Sequence, residues 1–313
     1  MSELLTDKAT IGTRGSDLAL VQAAATERAL SVAFPELGLS REVIRTIGDI
    51  RTDVSLAEVA KAEGTLDKGV FTKELEIALA AKQIDIAVHS LKDVPTVIED
   101  LFEIAGVLPR ASIRDCLVSR SEGGLDALPG GAVVGTSSVR RAKQLAWLRP
   151  DLKIIDLRGN VPTRLKKLAE GGYDAILLAE AGLVRLGYRM AQTPFIYGST
   201  LYFTPLAEGY FFPAAGQGAI GFEIRAGDPH AAALVAGIRD EPTFTRVRAE
   251  REFLRLLEGG CHTPVGVFTE LREDGTLSMS VRVFPDEGGD PRVAEGSHAD
   301  PLELAKQLFE ALA

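Results

Sequence analysis

The apolar positions of the chain switch repeatedly between two periods. A short strand-like run from Thr10 to Thr13 meets SDLALVQAAATERALSVAF, whose apolar residues recur at helical spacing, with Ser16 and Asp17 available as cap groups. REVIRTI predicts a strand, FTKELEIALAAKQ a helix and IDIAVHS a further strand. Alternation of this kind predicts a parallel sheet with helical crossovers. Past Pro109 the pattern restarts. GAVVGTSS reads as strand and turn, VRRAKQLAWLR as helix, KIIDLRG as strand, VPTRLKKLAEG as helix and YDAILLAEAG as strand. Pro162 suits the first turn of its helix, and Gly171-Gly172 suits the end.

The two blocks echo each other, because Gly12-Thr13-Arg14-Gly15-Ser16 and Gly135-Thr136-Ser137-Ser138 each lead from a strand into a helix. The pattern predicts two similar α/β lobes facing across a cleft. The last part differs: the helix TRVRAEREFLRLLEG, the strands PVGVFTEL, LSMSVRVF and RVAEGSH, and the closing helix LELAKQLFEALA predict a small α+β domain. The expected boundaries are 1–110 for the first lobe, completed by about 217–238, then 111–216 for the second lobe and 239–313 for the α+β domain.

With 313 residues, 46% hydrophobic and 25% charged, the composition is that of a globular protein of two or three domains. A formal charge of −9 gives no basic field for nucleic acid or an anionic membrane. No apolar run is long enough to span a bilayer, and MSELLTDK lacks the pattern of a signal peptide. Cys116 and Cys261, the two cysteines, fit a reducing compartment, so a cytoplasmic location is expected. The four histidines have no metal-ligand spacing, and no metal is expected.

Candidate chemistry lies where predicted strands end. Ser138, Arg140 and Arg141 sit at a helix mouth, Arg158 follows the next strand, and Arg164 falls in the next helical turn. Cations at a helix N-terminus meet a dipole of the same sign, so their grouping makes sense if an anion sits among them. Taken singly, each also fits a solvated surface arginine. Arg14 and Arg185 are candidates for the same site. Lys92-Asp93 closes the strand IDIAVHS, and reads either as a surface ion pair or as a carboxylate facing the cleft. Cys116 lies in apolar sequence and reads as a packed thiol. Cys261 follows Gly259-Gly260 in a loop that leaves its sulfur approachable, and fits a structural or a functional thiol. GQGAIG, Gly216 to Gly221, matches a dinucleotide fingerprint literally but leads into a strand, which argues against nucleotide binding.

HSLKDVP, VGTSSVRR, LRGNVPTRL, AAGQGAIG and LEGGC, together with GTRGSDLAL and KGVFTKELE, occur in the order and spacing of the porphobilinogen deaminases, and the chain resembles that family over about residues 8–270. The resemblance implies two lobes like periplasmic binding proteins and a third small domain. It implies a cytosolic, monomeric transferase of porphyrin and heme biosynthesis that joins four porphobilinogen molecules head to tail, losing ammonia each time, and releases hydroxymethylbilane. It implies a dipyrromethane cofactor held as a thioether on Cys261. Asp93 takes the family's catalytic position. Lys92, Thr136, Ser138, Arg140, Arg141, Arg158 and Arg164 take cofactor-binding positions, and Arg14, Ser16, Phe71, Arg185 and Gln217 substrate-binding ones. The residues suit this chemistry: porphobilinogen carries an acetate and a propionate, which guanidinium groups bind bidentately. Loss of ammonia develops positive charge on a pyrrole nitrogen, which a fixed carboxylate stabilises.

The chain departs from the family pattern at Asp17, Asp67 and His262, and in a long aromatic stretch from Tyr188 to Phe212. Asp17 is expected to serve the helix cap. Two rival readings are a two-lobed solute-binding or effector-sensing module, which leaves Cys261 and the third domain without a role, and an inactive homologue, which the intact Asp93 and Cys261 argue against.

Overall fold

The computed structural model describes residues 7–46, 72–257 and 263–312. Phe71, Asp67, Cys261 and His262 lie outside the described residues. The chain divides into two compact units, Met1–Ala111 with Ala219–Arg248 and Ser112–Gly218 with Ala249–Ala313.

In the first unit, β1 (Lys8–Arg14), α1 (Asp17–Ala33), β2 (Gly38–Ile44), α2 (Lys73–Ala80), β3 (Ile86–Ser90) and β4 (Phe102–Val107) follow in order. Strand β12 (Ile220–Arg225) returns to this unit after the whole second lobe has intervened in sequence. The sheet order is β2-β1-β3-β12-β4. Helix α1 begins where Ser16 accepts a hydrogen bond from Ala19 N–H. Asp17 stands exposed in the first turn, where its charge complements the helix dipole. Leu30 of α1 packs on Ile86 and Phe222 of the sheet, all fully buried. Burial of this kind contributes about 1.5–3 kcal/mol per large side chain.

The second unit contains β5 (Asp115–Ser119), β6 (Val133–Gly135), α3 (Val139–Leu148), β7 (Lys153–Ile155), α4 (Val161–Ala169), β8 (Ala175–Ala179), α5 (Glu180–Arg185), the two-residue strands β9 (Phe195–Ile196) and β10 (Ser199–Thr200), and β11 (Tyr202–Pro205). Its sheet runs β11-β5-β8-β6-β7. Read from the other edge, β7-β6-β8-β5-β11 repeats the topology of the first sheet, with three parallel strands and then an antiparallel one. The echo between the two strand-to-helix turns is therefore an echo of whole sheets. Both sheets are mixed, where alternation alone predicts parallel ones. Strands β5 and β12 reach their sheets without a crossover helix on that sheet, so nothing forces them parallel.

The chain closes with α6 (Pro229–Ala236), α7 (Glu241–Leu256), the antiparallel strands β13 (Val265–Leu271), β14 (Leu277–Val283) and β15 (Arg292–His298), and α8 (Pro301–Ala311). Alternating burial along β14 puts Leu277, Met279 and Val281 against Leu304 and Leu308 of α8. The architecture is thus two sheet-and-helix lobes and a small α+β C-terminal domain.

One element differs in kind from its sequence pattern. YDAILLAEAG reads as a single strand, but the strand stops at Ala179 and helix α5 starts at Glu180. The N-cap is Ala179, which has no side chain to accept a capping bond, so the sequence carries no start signal.

Candidate active site

Strand β3 ends at Ser90, and a single 3-10 turn, Leu91–Asp93, follows. Leu91 anchors that turn: its side chain is fully buried and its N–H donates to Ala219 C=O at 3.1 Å. A Cβ on Gly221 would lie 2.8 Å from Leu91 Cδ1, so close strand-to-turn packing needs glycine there. With Leu91 fixed, Asp93 lines a small polar cleft together with Arg14, Ser16, Gln22, Thr72, His89 and Ser90. The cleft lies at the carboxyl ends of the parallel strands β1 and β3 and beside the N-terminus of α1, so backbone dipoles there favour an anion.

Polar walls hold the cleft in shape. Gln22 Nε2 donates to Ser90 Oγ at 2.8 Å, and Ser90 Oγ donates back to Gln22 Oε1 at 3.1 Å. Beneath, His89 Nε2 stands 2.9 Å from Glu223 Oε2, both side chains buried. Neither Gln22 nor the His89–Glu223 pair stands out in the sequence, since their partners lie 68 and 134 residues away.

In the second unit the equivalent strand-to-helix turn runs from Gly135 to α3. Ser138 caps α3 by accepting from Arg141 N–H, and Thr136 Oγ1 accepts from Ser138 N–H at 3.2 Å. Arg140 and Arg141 are not surface arginines at a helix mouth. Both are 5% exposed and converge on Asp115, which is fully buried. Arg140 Nη1 donates to Asp115 Oδ2 at 2.7 Å and to Phe212 C=O at 2.5 Å. Arg141 Nε donates to Asp115 Oδ1 at 2.9 Å and its Nη1 to Leu177 C=O at 3.1 Å. Complete burial pushes the Asp115 carboxyl up, but the charges of Arg140 and Arg141 and their hydrogen bonds outweigh it. The group is held well below the usual carboxylate range.

Asp115 is the residue that the sequence conceals. It precedes Cys116 in RDCLVS, where only the apolar neighbours draw attention. Taken by themselves, two arginines and one aspartate carry one uncompensated positive charge. Arg140 Nε is buried and has no hydrogen-bond partner among the described residues. The excess positive charge of the cluster suits an anionic group nearby.

The remaining candidates divide. Arg164 Nε donates to Gly159 C=O at 2.7 Å, and its Nη2 reaches Ser137 Oγ at 3.5 Å, close to the start of α3. Arg158 is half-buried beside this turn in sequence, and its C=O accepts from Lys167 Nζ at 3.0 Å. Gln217 is buried and donates to Ile113 C=O at 2.6 Å and Asp115 Oδ1 at 3.2 Å. Arg185 ends α5 and donates to Gly218 C=O at 2.7 Å, and burial pulls its pKa down to about 10. In the second unit the geometry therefore brings Thr136, Ser138, Arg140, Arg141 and Arg164 together, with Gln217 attached through Asp115. In the first unit it brings Arg14, Ser16 and Asp93 together, with Lys92 half-buried next to Asp93. Phe71 and Cys261 lie outside the described residues.

Cys116 sits in the buried strand β5 at zero exposure. Burial, with the charge of Glu180, pushes its thiol up to about 12, so it stays protonated and inert at neutral pH.

Two strand-to-helix turns at the strand ends of mixed α/β sheets thus carry arginines and serines beside helix N-termini, an arrangement suited to anionic groups. Two family models match the chain: "Porphobilinogen deaminase, dipyromethane cofactor binding domain" over residues 9–233 and "Porphobilinogen deaminase, C-terminal domain" over 244–313. The porphobilinogen deaminase of Syntrophobacter fumaroxidans is 45% identical over 89% of this chain and 84% of that protein. Those of Moorella thermoacetica and Thermus thermophilus are 44% and 43% identical, over 96% and 95% of this chain and 92% and 93% of theirs. The chain belongs to the porphobilinogen deaminase family. Among solved structures, the VFT2 domain of Bordetella pertussis BvgS aligns with a TM-score of 0.45 at 12% identity, over 78% of this chain and 93% of that one.

Proposed function

We propose that this chain is a deaminating transferase that joins four porphobilinogen molecules head to tail and releases hydroxymethylbilane. Membership of the family carries the reading, and the Asp93 cleft and the Asp115-bound arginine pair support it. The dipyrromethane, attached through Cys261, supplies the pyrrole terminus from which polymerisation starts. Arg140, Arg141, Ser138, Thr136, Arg164, Arg158 and Lys92 bind its carboxylates. Arg14, Ser16, Phe71, Arg185 and Gln217 serve the incoming substrate.

Asp93 acts on charge. As ammonia leaves, the pyrrole nitrogen becomes positive, and the carboxylate stabilises it. At ~4 Å and an effective dielectric of ~20 such a pair is worth about 4 kcal/mol, on the order of a thousandfold in rate. Arg14 and the N-terminus of α1 meet the substrate carboxylates at the same cleft and hold the reacting carbon in place.

The chain acts as a monomer in the cytoplasm on a small molecule. Its formal charge of −9 argues against a nucleic-acid or anionic-membrane partner, and no helix among the described residues is long and apolar enough to cross a membrane. The test is the intact mass of the purified protein. A covalent excess of two condensed pyrrole units, located on the peptide with Gly259-Gly260-Cys261, is the expected result. A chain without that excess which binds porphobilinogen and releases no ammonia would instead be a solute-binding relative.

A further inference from the structure

The turn Gly216-Gln217-Gly218 leads into strand β12 and so has no nucleotide to serve. Each of its residues is nevertheless committed to a different partner. Gly216 N–H donates to Glu250 Oε2 at 2.8 Å, Gln217 Nε2 donates to Asp115 Oδ1 at 3.2 Å, and Gly218 C=O accepts from Arg185 Nη2 at 2.7 Å. Gly216 and Gly218 have φ of +71° and +85°, where a side chain is strained, so this turn conformation calls for glycine at both positions. Glu250, on helix α7, is 1% exposed, and its other oxygen accepts from Thr269 Oγ1 of β13 at 2.5 Å. All of these residues belong to the second unit.

A buried carboxylate is costly to place unless its oxygens are bonded, and a bonded one fixes its partners' positions. Glu250 therefore pins the first residue of a turn whose other two residues are themselves bonded to Asp115 and Arg185. The second residue of that turn holds Asp115, the anchor of Arg140 and Arg141, and the third holds Arg185. Resting on the function proposed above, we infer that Glu250 is a positioning residue that sets these three arginines for the carboxylates of cofactor and substrate.

The experiment compares Glu250→Leu, Glu250→Asp, Glu250→Gln and Thr269→Val in the full chain. Intact mass gives the fraction carrying dipyrromethane, steady-state kinetics give KM and kcat, and melting gives stability. Glu250→Leu removes both bonds; its loaded fraction should fall severalfold, and the loaded remainder should show KM for porphobilinogen raised about tenfold with kcat changed less. Glu250→Gln, which still offers an oxygen to Gly216 N–H, should restore loading. Thr269→Val leaves the Gly216 bond in place and should melt lower yet load fully with normal KM. Should Glu250→Leu not fold, Glu250→Asp, one methylene short of the turn, should show an intermediate loss of loading.

Full loading and an unchanged KM in a folded Glu250→Leu or Glu250→Asp variant would overturn the role. So would a Thr269→Val variant with the same losses, since stability alone would then account for them. Wild type is measured alongside. An unloaded wild type refutes the proposed function, whereas a loaded wild type beside unaffected Glu250 variants refutes only the positioning.

Discussion

Arg140 Nη1 lies 2.7 Å from Asp115 Oδ2, with neither side chain exposed beyond 5%. Arg141 grips the other oxygen of the same carboxylate. This relationship decides what a substitution at either arginine measures. Removing one partner of a buried pair strands the other, at a cost of about 3–5 kcal/mol. Asp115→Ala strands both guanidinium groups and should therefore lower stability in denaturant titrations by that order, as well as abolish cofactor loading; Arg140→Leu leaves Asp115 paired with Arg141 and should cost less while still impairing loading. Arg158→Leu, at a half-buried position outside the Asp115 cluster, should lose cofactor loading with a smaller fall in its unfolding midpoint than Asp115→Ala. Equal stability of Asp115→Ala and Arg158→Leu would contradict the buried network.

The sequence suggests that arginines at element ends are replaced with little effect on packing. For Arg140 and Arg141 that expectation fails, because helix α3 turns their side chains inward onto β5.

Acid should expose the same pair. Asp115 titrates in the folded state below its usual range, so its stabilisation is fully present above an unfolded pKa of about 3.9. That stabilisation is lost as pH falls through the folded value. Wild type should lose stability steeply below about pH 4, and Asp115→Asn, already weaker at neutral pH, should show a shallower slope there. Urea midpoints measured across that range check the sign. A slope unchanged by Asp115→Asn would mean that other carboxylates carry the acid transition.

Cys116 and Cys261 should separate cleanly. Burial raises the Cys116 thiol to about 12, so a thiol reagent at pH 8 should label it only in denaturant. Cys116→Ala should keep the covalent dipyrromethane, and Cys261→Ser should purify without it. An adduct on the Cys116 peptide would reverse the assignment.

Much of this molecule is legible in its sequence, and what is not has a physical reason. Strand β15 occupies the residues its pattern predicts, and α4 carries Pro162 in its first turn and an Asn160 side-chain cap. Those signals are local. The edge strand β2 lies three residues earlier than REVIRTI suggests, because most of its side chains are exposed and its register is set by pairing with β1. Strand β5 escapes notice because its one charged residue, Asp115, is satisfied by groups 25 and 26 residues away. The GQG turn is readable as something other than a nucleotide loop, but its partners Asp115, Arg185 and Glu250 are distant in sequence. Asp93 is legible in HSLKDVP only as a strand-end carboxylate; the burial of Leu91 is what fixes it in the cleft.

The most direct test of the account is single-turnover release of ammonia from enzyme already carrying its dipyrromethane, with Asp93 varied. Asp93→Asn keeps the shape of the side chain and removes its charge. Asp93→Glu keeps the charge and displaces it by one methylene, and misplacement by about 1 Å costs on the order of a hundredfold. If Asp93 stabilises the positive pyrrole, Asp93→Glu should retain a small residual rate and Asp93→Asn almost none, with both proteins folded and loaded. Near-normal ammonia release from Asp93→Asn beside an inactive Asp93→Glu would contradict charge stabilisation and leave Asp93 as an orienting group alone.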